Sequence, residues 1–108
     1  MGALLYGSPA ERFEIPDRAL AHVKLAVVAK LRRGESFTMS LQGADDGDFG
    51  RQTIWIAPGI PLRFVFDDAV GPSINRRWLE RLAVSANSTG GLMLMDEPSD
   101  KPAARGER

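Results

Sequence analysis

Few side chains in this sequence can do chemistry near neutral pH. The 108 residues hold one histidine and no cysteine, which excludes disulfides, thiolate nucleophiles and cysteine-ligated metals. His22 alone cannot build a zinc site. It also falls on the side of a helical pattern away from Leu20, Val27 and Leu31, so it reads as a solvated ring. Lys24 lies beside Leu20, Val27 and Val28 on the same pattern. It is expected either to pack its stem and send its amine to water, or to be desolvated enough to act as a nucleophile or base. No serine stands in a Gly-x-Ser-x-Gly turn, and the stretch 43–50 carries aspartates where a phosphate loop needs backbone N–H groups and a lysine. Asp45, Asp46 and Asp48 carry charge suited to Ca²⁺ or Mg²⁺, but their spacing misses the alternating ligands of an EF-hand loop, and Asp with Gly also makes ordinary turns. The expectation is no catalytic residue, no metal and no cofactor, with an enzyme using Lys24 or His22 ranked last.

Two constellations remain. Arg76 and Arg77 stand at the start of a helical pattern, where cations are unfavourable and an anion would be welcome, and Arg81 repeats the charge of Arg77 on the same face. Arg76 can pair with Glu80 one turn on, and the nearby Asp67-Asp68 pair could neutralise the cluster. Otherwise the arginines form an anion site for phosphate or nucleic acid. The second constellation is Trp55 with Arg51 and Arg63. If Ile54 and Ile56 face a core, Trp55 points outward, and a neighbouring strand would bring Arg63 beside it. Such a surface suits base stacking or a homodimer, since Trp and Arg are enriched at interfaces; the homodimer is the favoured expectation.

The elements that position these residues follow from periodicity. Leu4-Leu5-Tyr6 and Phe13-Glu14-Ile15 flank Gly7-Ser8-Pro9-Ala10 as a hairpin. A helix is predicted from about Arg18 to Arg33, with Asp17 as N-cap, Gly34 just past its end and Leu20, Val23, Val27 and Leu31 as its buried stripe. Three strands follow, at 36–41, 53–57 and 62–66. The second helix has Asn75 as N-cap, with Ile74 and Leu79 placed as a hydrophobic staple. Leu92-Met93-Leu94-Met95 is a last strand. The order β-β-α-β-β-β-α-β predicts an α+β domain over residues 1–95. Its sheet would be mostly antiparallel, of five to six strands, with two helices on one face. Residues 96–108 lack apolar anchors and read as a disordered tail.

Composition bounds the function. A 44% hydrophobic and 26% charged chain is globular rather than disordered. Fourteen basic against fourteen acidic side chains exclude a uniformly basic nucleic-acid binder. Yet Arg18, Lys24, Lys30, Arg32 and Arg33 fall in a stretch without acids, and Glu35, Asp45, Asp46 and Asp48 follow in one without bases. Such separate patches suit self-association or an anionic partner. No signal peptide, myristoylation pattern or membrane-spanning run is present, which makes the cytoplasm the expected location.

Several words of the sequence are distinctive: Leu20-Ala21-His22, Lys30-Leu31-Arg32-Arg33-Gly34-Glu35, Thr53-Ile54-Trp55, Asn75-Arg76-x-Trp78-Leu79, Ala86-Asn87-Ser88-Thr89-Gly90-Gly91-Leu92 and Glu97-Pro98. Together they resemble a family of short actinobacterial proteins, of about this length and of unknown function, often labelled "ATP-dependent DNA ligase". The resemblance covers most of residues 1–98 and implies no mechanism. A ligase forms its lysyl-adenylate on Lys-x-Asp-Gly, and the three lysines here read Lys24-Leu25-Ala26-Val27, Lys30-Leu31-Arg32-Arg33 and Lys101-Pro102-Ala103-Ala104.

Overall fold

A computed structural model describes residues 1–42, 51–71 and 73–99. Asp45, Asp46 and Asp48 therefore lie outside the described residues, as does the stretch 100–108. The element order is β1 (Gly2–Tyr6), β2 (Glu11–Ile15), α1 (Asp17–Arg32), β3 (Phe37–Gln42), β4 (Arg51–Ile56), β5 (Leu62–Val65), α2 (Arg76–Ala86) and β6 (Leu92–Met93). The class is α+β, as the periodicity predicts. The strands, however, form two three-stranded sheets, β2-β1-β5 and β4-β3-β6, instead of one sheet of five or six.

The division falls between β4 and β5. Pro58 and Pro61 have no N–H to continue a ladder, so the chain leaves the second sheet at Ile56 and joins the first at Leu62. At this corner the Gly7 N–H donates to the Pro61 carbonyl at 3.0 Å, carrying the β1–β5 ladder one residue further, and the Tyr6 hydroxyl ties the two sheets by donating to the Trp55 carbonyl at 2.7 Å. Within each sheet the pairing is antiparallel except for β3 and β6, which run parallel, with Met39 beside Leu92.

Alternation decides which face of each strand is inside. Phe37, Met39 and Leu41 of β3 and Ile54 and Ile56 of β4 are buried, as are Phe13 and Ile15 of β2. Against these inner faces pack the two helices, α1 beside β1 and α2 beside β3 and β6, and the helices also contact each other. α1 ends as predicted: Gly34 takes φ +73°, its N–H donates to the Leu31 carbonyl and that of Glu35 to the Lys30 carbonyl, the paired bonds of a Schellman motif. Its start differs. Pro16 is the N-cap and Asp17 the first helical residue. The Asp17 carboxylate is drawn away from its own helix by the backbone N–H groups of Asp67 and Asp68, at 3.2 and 2.9 Å.

β6 stops at Met93, two residues sooner than the apolar run implied. There the chain turns onto the helices, where the Met95 carbonyl accepts the Trp78 indole N–H at 3.2 Å. The entry to β6 is tight: Gly91 has φ +80°, and a Cβ there would strike the Thr38 hydroxyl and lie 2.6 Å from the Thr38 carbonyl oxygen. Gly91→Ala is expected to cost about 2–4 kcal/mol, from the left-handed backbone and the overpacking together. Urea denaturation measures this directly, and an unchanged midpoint would contradict the assigned packing.

Candidate functional site

The residues with chemistry divide into a buried group between the helices and an exposed group on the second sheet and on α2. The buried group centres on Asn75, which caps α2 as predicted: its Oδ1 accepts the Trp78 N–H at 3.1 Å. Its backbone N–H donates to His22 Nε2 at 2.8 Å. Its Nδ2 donates to Glu97 Oε2 and to the Pro98 carbonyl, both at 2.8 Å. Arg18 grips the same Glu97 carboxylate through Nε and Nη2, each at 2.8 Å, and gives Nη1 to the Ser73 carbonyl at 2.9 Å. The segment 96–99, which the sequence places in a tail, thus includes Glu97 and Pro98 held against both helices.

His22 corrects the reading of a solvated ring, because the structure buries it completely. Its Nδ1 lies 2.7 Å from the Arg18 carbonyl, which can only accept, so Nδ1 carries the proton. Nε2 is then the acceptor that Asn75 N–H requires, and the ring is the neutral Nδ1–H tautomer. One face stacks on Trp78, with centroids 4.5 Å apart. With both nitrogens and a ring face engaged, His22 builds the helix junction and has no free group to offer a substrate.

Lys30 was missed by sequence reasoning, which placed it only in a basic stretch without acids. It is buried, donating from Nζ to Asn87 Oδ1 at 2.8 Å, pairing with Glu35 at 3.0 Å and lying 5.6 Å from the Phe37 ring centre. Hydrogen bonds from Arg33 and then Lys30 hold the Glu35 carboxyl below its ordinary range. Lys24, in contrast, is exposed, with Nζ 5.9 Å from the centre of the Phe66 ring. Desolvation is therefore not available to activate it.

On the second sheet Trp55 points outward and is 53% exposed. Arg51 and Thr53 share its side of β4. Beside them run Thr38 and Ser40, whose hydroxyl meets that of Thr53 at 3.1 Å. Met93 of β6 pairs with Ser40 and is 47% exposed on the same face. Arg63 does not join this cluster. It pairs with Leu5 in the other sheet, because β5 is no neighbour of β4.

The three arginines lie on α2, Arg76 and Arg81 exposed and Arg77 half-buried. Among the described residues no ion pair joins Arg76 to Glu80. Nor do Asp67 and Asp68 neutralise the cluster: Asp67 pairs with the N-terminal amine at 2.8 Å, and both residues give their backbone N–H to Asp17. The carboxylate at this helix end is Glu97, engaged by the N-cap side chain. The described residues bring no three His, Cys, Asp or Glu together at metal-binding distance, and none of their helices is long and apolar enough to cross a membrane.

Glu97 sets an acid limit. Hydrogen bonds from Arg18 and Asn75 lower its pKa from 4.5 to about 2. A depressed carboxylate stabilises the fold fully above its unfolded pKa, and that contribution fades as pH falls through the folded value. Stability is therefore expected to drop from about pH 4.5 towards pH 2, with Asp17 and Glu35 adding to the slope. Glu97→Gln should flatten the curve in that window, measured as urea midpoints at stepped pH. A variant curve parallel to the wild type would reject the assigned role.

No curated protein and no solved structure matches the chain. Residues 1–97 match the family described as Domain of unknown function (DUF7882), a span that ends on the carboxylate closing the helix junction. The chain therefore belongs to the DUF7882 family.

Proposed function

We propose that the chain is a small, non-enzymatic interaction module that associates with itself as a homodimer through the outward face of its second sheet. The observation that carries this reading is Trp55, 53% exposed on a face where Arg51, Thr53 and Met93 are also open to solvent. An indole left in water loses the gain of burying its large apolar area. Trp and Arg are also the residues over which interfaces concentrate their energy.

Size sets the strength of the contact. Three short strands present a patch of roughly 300 Å² at strand and residue spacings, against about 800 Å² per partner in a standard stable complex. The dimer is accordingly weak and transient, with dissociation constants in the micromolar range or above. Light scattering or sedimentation at increasing concentration should reveal reversible dimerisation, and Trp55→Ala should abolish it without changing the unfolding midpoint. A strict monomer at high concentration, unchanged by Trp55→Ala, removes the reading. The cytoplasm is the proposed location.

A second reading rests on Arg76, Arg77 and Arg81, which have no carboxylate partner among the described residues. It makes the chain an accessory domain for nucleic acid or phosphate. Binding to single-stranded DNA would then weaken steeply with salt, and Arg76→Glu with Arg77→Glu would lower the logarithmic salt slope by about 1–2. No binding to DNA or RNA at low salt rejects it. The resemblance to short actinobacterial proteins labelled as ligases adds no activity, since Lys24, Lys30 and Lys101 all lack the Lys-x-Asp-Gly context.

A further inference from the structure

On the outer side of α1 lies a groove of about 350 Å³. Ala21 and Leu25 of the helix form one wall, and Phe66, Val70 and Ile74, from the segment leading into α2, form the other. Leu25, Val70 and Ile74 are 39%, 80% and 40% exposed, so a large share of the molecule's solvent-facing aliphatic surface gathers at this one concavity. Scattered exposed apolar residues need no explanation, but a concave cluster with a polar group at its rim is how small-molecule sites are built.

The polar group is Lys24. No carboxylate among the described residues lies within ion-pair distance of its ammonium, whose recorded contact is the Phe66 ring at 5.9 Å. Of the two acids at the groove, Asp17 is engaged, because both its oxygens accept backbone N–H groups from Asp67 and Asp68. Asp68 stands exposed at the rim. The groove thus has apolar walls and one cation that has no ion-pair partner among the described residues. Its size lies near the lower end of small-molecule sites, which suits a ligand of roughly eight carbons. A dianion such as phosphate would call for more than one cationic partner, and this lining has a single one.

We propose that this groove binds a small apolar monocarboxylate, its hydrocarbon against Leu25, Phe66, Val70 and Ile74 and its carboxylate on Lys24. The proposal is independent of self-association, since Trp55 does not line the groove. It gives a role to Lys24 as a binding cation, with no activation of its amine required.

The test is a titration of the full chain with octanoate below its micelle concentration, followed by methyl NMR signals of Leu25, Val70 and Ile74. 1-Octanol serves as the uncharged control. Octanoate is expected to shift these methyls saturably and to bind more tightly than octanol. Lys24→Met should weaken octanoate about three- to tenfold and leave octanol unchanged, while Asp68→Asn should strengthen octanoate. Trp55→Ala should alter neither ligand, which separates failure here from failure of the dimer. The proposal is overturned by the absence of saturable shifts, by equal affinity for octanoate and octanol, or by indifference to Lys24→Met. Binding to phospholipid vesicles without binding to monomeric octanoate would also overturn it, making the surface a membrane contact.

Discussion

Asn75 is 2% exposed, and its hydrogen-bonding groups together reach three separate stretches of chain. Its N–H meets His22 of α1, its Oδ1 the first turn of α2, its Nδ2 the segment past β6, and its carbonyl the N–H of Leu79. A buried polar group without a partner costs about 1–3 kcal/mol, which for a small domain is a large part of the whole margin. Those stretches must therefore arrive together. This one side chain fixes where the two helices meet, which tautomer His22 adopts, and why the chain past Met93 leaves the sheet to lie across the helices.

The buried polar groups between the helices are consequently committed to holding the fold. His22 and Lys30 are the residues that a scan for catalysts would select, and both have their polar atoms committed to structural partners. What remains available lies on the surface: the indole of Trp55, the apolar walls beside Lys24, and the arginines of α2. The proposed interaction module would draw its binding energy from that apolar area and those exposed cations.

Legibility in the sequence followed the same division. Asn75 and Gly34 were readable because a cap residue and a left-handed residue have local requirements that few other types meet. The outward Trp55 was readable from the parity of Ile54 and Ile56. His22 was not, because α1 is buried along two lines. Leu20, Val23 and Val27 announce one, whereas the other runs through Ala19, His22, Ala26 and Lys30, two small and two polar side chains that carry no hydrophobic signal. The spacing of His22, Ala26 and Lys30, four residues apart, was the available clue. Arg63 was misplaced because a strand's neighbours depend on the direction in which a turn sends the chain, and Pro58 and Pro61 mark a turn without giving its direction. Glu97 was assigned to a tail because a single carboxylate that anchors through hydrogen bonds leaves no periodic trace.

The parallel pairing of β3 with β6 has a consequence for how the protein is made. The hairpins β1–β2 and β3–β4 join neighbours in the chain, but Met39 must wait beside the growing sheet until Leu92 has been synthesised. Glu97 comes later still. A nascent chain leaving the ribosome therefore holds two hairpins and a first helix whose His22 and Arg18 face empty space. The first sheet can form once β5 has emerged, whereas the second sheet and the helix junction close only after Leu92 and Glu97.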